Sequence, residues 1–94
     1  MLTISDLRKG DKVLLTSIPF ISDEPRKATL IEKPRGTTAF VEIEGVDGYF
    51  NDFGSIYIDE ILVKTNDDFE IIDDVILSDK QASKMREIRE VLNA

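Results

Sequence analysis

Apolar and polar residues alternate along much of the chain, and the alternation predicts short strands. Val13 and Leu15 lie on one side of a segment from about Lys12 to Ser17, with Leu14 and Thr16 on the other. Ile4, Leu7 and the Gly10-Asp11 pair ahead of it predict one helical turn and a tight turn. Ile18 to Pro25 is bracketed by Pro19 and Pro25, neither able to donate to a ladder, and reads as a loop. Arg26 to Glu32 carries β-branched Thr29 and Ile31 and reads as the second strand. Lys33-Pro34-Arg35-Gly36 has the signature of a type I turn. Thr37 to Val46 gives the clearest alternation, with Ala39, Val41 and Ile43 against Phe40, Glu42 and Glu44.

Asp47-Gly48 is the strongest hairpin signal, because a type I′ turn needs positive φ at both central positions. The chain should return from Tyr49, meet a bulge or second turn at Asn51–Gly54, and resume as a strand over Ser55–Ile58. A 3₁₀ turn at Asp59–Ile61 and a short strand at Leu62–Lys64 follow. Asp73-Asp74 splits the apolar pieces Phe69–Ile72 and Val75–Leu77, which predicts an extra edge hairpin over 69–77 or an extended arm. Ser78 and Gln81 form an S-x-x-Q capping box opening a helix over about Asp79–Leu92. Its apolar stripe is Ala82, Met85, Ile88 or Arg89, and Leu92; Lys84, Arg86, Glu87, Arg89 and Glu90 fall on the wet face. The stripe can cap the strands or pair with a second copy, so a homo-oligomer is one expectation.

The residues Leu7-x-x-Gly10-Asp11-x-Val13 resemble the entry to SH3-like barrels, and Gly54 to Ile61 resembles their strand-then-3₁₀ ending. The likeness covers about residues 4–64. It implies a mainly β fold with added α: a small antiparallel SH3-like barrel over 1–77, followed by the helix of 78–94. The chain is also similar to small uncharacterised proteins of tailed bacteriophages. SH3-like domains that take Pro-rich peptides use clustered aromatics; here the cluster is Tyr49, Phe50, Phe53 and Tyr57, and there is no Trp.

Composition narrows the chemistry. The chain has 94 residues, no Cys and no His, which removes thiolate and imidazole catalysis and their metal sites. The glycines stand singly, so no phosphate-cradling loop is written, and no enzyme activity and no cofactor are expected. Asp59-Glu60, Asp67-Asp68 and Asp73-Asp74 lack the spacing of a cation loop and read as solvated acids, so no metal site is expected. No apolar run reaches a membrane span, and no export leader is read at the start, so a cytoplasmic setting away from membranes is expected.

The net charge of −7 is unevenly spread. Residues 1–38 carry seven basic and five acidic groups, residues 39–79 carry Lys64 against twelve acids, and residues 80–94 carry four basic and two acidic groups. The acidic middle repels a phosphate backbone and attracts a basic partner. The first expectation is therefore a non-enzymatic protein-binding module that engages a partner such as a basic nucleic-acid-handling protein through Glu42, Glu44, Asp47, Tyr49, Phe50, Asp52, Phe53 and Tyr57. The alternatives are a nucleic-acid-binding barrel using a basic edge of Arg26, Lys27, Lys33 and Arg35, and an assembly subunit that oligomerises through the helix.

Overall fold

The computed structural model of the chain describes residues 1–16, 25–44 and 55–92. The Asp47-Gly48 hairpin and most of the Pro-bracketed loop lie outside them. Among the described residues seven strands form one sheet: β1 Leu2–Thr3, β2 Lys12–Leu15, β3 Arg26–Leu30, β4 Thr38–Ile43, β5 Ser55–Tyr57, β6 Ile61–Thr65 and β7 Ile71–Ile76. The 3₁₀ turns Ile4–Asp6 and Ile58–Glu60 precede β2 and β6, and the helix α1 spans Asp79–Leu92. The class is mainly β with α, as the alternation implied. The spatial order is β1-β7-β6-β2-β3-β4-β5, and among the described residues β1 does not pair with β5. The sheet is therefore open, where a closed antiparallel barrel was expected. Its two end strands are two and three residues long, too short to close a ring by mutual pairing.

The alternation fixes the core. Val13, Leu15, Ala28, Leu30, Ala39, Val41 and Ile43 are buried, and their neighbours Lys27, Phe40 and Glu42 face out. Ile4, Leu7, Ile56, Ile58, Ile61, Val75 and Met85 complete the cluster. The N-terminal turn joins this core through side-chain and backbone bonds. Thr3 N–H donates to Asp6 Oδ2 at 2.9 Å, and these bonds hold the Asp6 carboxyl below its ordinary range. Lys33 Nζ donates to the carbonyls of Ser5 and Leu7 at 2.6 and 3.2 Å. Gly10 N–H reaches Leu30 O at 2.8 Å, and Leu30 N–H reaches Asp11 O at 2.9 Å.

Three local expectations change. The turn after β3 is a two-residue hairpin closed by reciprocal Arg35–Thr38 bonds of 3.0 Å, with Gly36 at φ 57°. Gly36 thus occupies the first central position, where a II′ turn demands it, and not the fourth position of a type I turn. Residues 71–76 are one strand, not a hairpin split at Asp73-Asp74. β7 lies between β6 and β1, antiparallel to the first and parallel to the second. The parallel pairing, Leu2↔Val75 and Thr3↔Ile76, departs from an all-antiparallel sheet.

The helix follows its sequence signal. Ser78 N–H donates to Gln81 Oε1 at 2.9 Å and Gln81 N–H to Ser78 Oγ at 3.2 Å, closing the capping box. Met85 is buried and Ala82 and Ile88 are half-buried, but Leu92 is 56% exposed because the helix runs past the core. Arg89 leaves the wet face. It clamps Asp59 through Nε and Nη2 at 3.0 and 2.7 Å, and its guanidinium lies 4.8 Å from the centre of the Tyr57 ring. The bonds to Asp59 raise the Arg89 pKa above its ordinary value.

Candidate functional site

Register shows which side chains share the outer face of the sheet. Lys12 stands opposite Thr29, which stands opposite Glu42. Leu14 stands opposite Lys27, and Glu44 N–H bonds to Lys27 O at 2.8 Å. The acidic pair Glu42 and Glu44 therefore shares this face with Lys12 and Lys27, while Arg26, on the parity of buried Ala28 and Leu30, donates from Nη2 to the Glu44 backbone carbonyl at 2.9 Å. Two of the expected basic-edge residues share this patch, and the opposite charges offset one another. The other two are elsewhere: Lys33 is held by the carbonyls of Ser5 and Leu7, and Arg35 is exposed at the hairpin tip. The four cations make no continuous track along which a phosphate backbone could run.

Tyr57 is also separated from the two glutamates. It stands opposite Thr38, four residues from Glu42 along β4, or about 13 Å at strand spacing. Its ring packs beneath Arg89 and against the core, while its N–H donates to Glu60 Oε2 at 2.9 Å. Asp47, Tyr49, Phe50, Asp52 and Phe53 lie outside the described residues.

A second acidic region holds the pairs Asp67-Asp68 and Asp73-Asp74, which read from sequence only as solvated acids. The β6–β7 turn is built by Asn66, whose Oδ1 accepts the N–H groups of Asp68 at 2.9 Å and Glu70 at 3.0 Å. Closing this turn puts Phe69 at φ 61°, a region bulky side chains rarely enter. Its ring is thereby set 5.5 Å from Lys12 Nζ and 5.4 Å from Lys27 Nζ. Two ammonium groups on one ring help offset the backbone strain. Removing the ring separates the two effects: Phe69→Gly should be more stable than Phe69→Ala by about 1 kcal/mol, since only Ala keeps the left-handed penalty. Urea unfolding of the pair measures this difference, and equal midpoints would contradict it.

Beyond the turn, Lys64 pairs with Asp73 but Thr65 pairs with Ile71, leaving Ile72 as the extra residue of a β-bulge. The bulge breaks the in-and-out alternation, so the consecutive Ile71 and Ile72 are both exposed, by 66% and 59%. Asp67, Asp68, Glu70 and Asp74 are exposed around them. Among the described residues none of these four carboxylates has a cation partner, whereas Asp73 lies 3.0 Å from the Met1 amino group.

Among the described residues no three acidic groups converge on one point as a metal site would require. Among the described residues no helix is long and apolar enough to cross a membrane. The fold and its surface define an open-sheet β domain with a terminal capping helix and an apolar, acid-rimmed bulge. In comparisons with protein-family models, curated proteins and solved structures, nothing matches this chain.

Proposed function

We propose that the chain is a non-enzymatic protein-binding domain that takes a partner with a basic surface. The observation that carries this reading is the β7 bulge: two adjacent exposed isoleucines ringed by Asp67, Asp68, Glu70 and Asp74. An apolar centre with a charged rim is the composition of a protein interface. Burial of the isoleucines supplies affinity, and the carboxylates select a partner rimmed with Lys or Arg. The reading keeps the class of partner expected from the charge distribution and moves the contact from Glu42 and Glu44 to β7.

The test uses immobilised peptides of alternating Lys and Ile, matched peptides of alternating Glu and Ile, and a duplex DNA probe. The chain should retain the basic peptide at about 0.15 M salt and release it as salt rises. Reversing Asp67→Lys, Asp68→Lys and Asp74→Lys together should weaken that binding at least tenfold. Equal binding of both peptides overturns the proposal, as does DNA binding that survives about 0.15 M salt.

A further inference from the structure

The helix carries a different surface, independent of β7. A shallow groove of about 670 Å³ runs beside α1, walled by Leu77, Ala82, Met85 and Asp59 and edged by Arg86 and Glu90. Ala82, Arg86 and Glu90 are spaced four apart, so they lie nearly one above another along the rim. Among the described residues neither Arg86 nor Glu90 has an ion pair, although Arg89, one residue away, is fully engaged. Their order also disfavours pairing within the helix, since the acid is better placed N-terminal to the base.

We propose that this groove is filled by α1 of a second copy, giving an antiparallel twofold dimer. In such a pair the residue opposite i is set by where the axis crosses. An axis at the level of Ile88 places Arg86 opposite Glu90 of the second copy, and Glu90 opposite Arg86, because both lie two residues from it. One patch thus supplies both halves of two ion pairs, which is what a twofold interface requires. The buried Met85, three residues from that level, gives the contact an apolar floor. Residues 80–94 hold four basic and two acidic groups, so self-repulsion between two copies is weaker here than at the acidic residues 39–79.

Sedimentation equilibrium over a range of concentrations tests the proposal. The native chain should approach twice its 10.6 kDa mass as concentration rises. Arg86→Glu places two acids in each half of the contact, and Glu90→Arg places two bases; each variant alone should dimerise at least tenfold more weakly. Mixed in equal amounts, the two variants are complementary at both positions and should associate again. Both substitutions are at exposed sites, and far-UV circular dichroism verifies that the helix persists. A native chain that stays monomeric overturns the proposal. So does either variant dimerising as well as the native chain, or a mixture no tighter than its components.

Discussion

Met85→Asp should lower the melting temperature by about 15–30 °C, the largest effect of any single change considered. Met85 is 3% exposed and is the one fully buried residue of α1. Truncating a buried Met alone costs about 2–5 kcal/mol. The aspartate adds a charge at a buried position whose nearby cation, Arg89, is already clamped to Asp59, so it must be protonated, expose itself or break that clamp. A combined loss of about 4 kcal/mol is a large part of the roughly 5–14 kcal/mol that a chain of this length holds. At about 4–8 °C per kcal/mol for a small domain, the shift follows. An isolated helix of 14 residues is marginal in water, so α1 depends on this contact for its order. Met85→Leu conserves volume and should cost less than about 1.5 kcal/mol. Thermal unfolding of both variants separates charge from packing; an unchanged midpoint in Met85→Asp would remove the helix from the core.

Leu7→Ala should cost about 3 kcal/mol, within the range for emptying a leucine site that cannot collapse. Leu7 has no exposed surface and follows the 3₁₀ turn at the chain's entry. Its surroundings are fixed from two sides. Lys33 and Arg8 donate to the carbonyls of Ser5 and Leu7, and Gly10 and Asp11 are tied to Leu30. The backbone therefore cannot move inward to fill the space. Ser5→Ala, at an exposed position in the same turn, should change stability by no more than about 0.5 kcal/mol. Denaturant midpoints of the two variants measure the contrast, and similar values would place Leu7 outside the core.

Elements with a local cause were legible in the sequence. The capping box and the spacing of Ala82, Met85 and Ile88 located α1 over Asp79–Leu92, and alternation in β4 assigned each side chain to its face. Elements held by distant partners were not. β1 is two residues long and exists through pairing with Val75 and Ile76 near the other end of the chain. β7 was obscured by Asp73-Asp74, which look like a break; register places Asp74 opposite Val63, and Asp73 is balanced by the Met1 amino group. Arg89 was assigned to water because its carboxylate partner lies thirty residues earlier, in the second 3₁₀ turn.

The candidate surface was legible as a charge sign and not as a place. Twelve acids in residues 39–79 led to the expectation of a basic partner, but Glu42 and Glu44 fold beside Lys12, Lys27 and Arg26, which come from the basic first part of the chain. The bulge that exposes both Ile71 and Ile72 is a one-residue register shift, which hydrophobic periodicity cannot signal. The placement of Phe69 was equally hidden, since a left-handed backbone is expected at Gly or Asn before Phe.

The most direct measurement of the proposed function is a titration of the ¹⁵N-labelled chain with the alternating Lys and Ile peptide, followed by amide chemical shifts. The account predicts saturable shifts confined to Asn66–Asp74, diminishing as salt is raised, with Arg26–Leu30 and Phe40–Glu44 unmoved. Shifts centred on Arg26, Lys27 and Glu44, or no shifts at all, would contradict it.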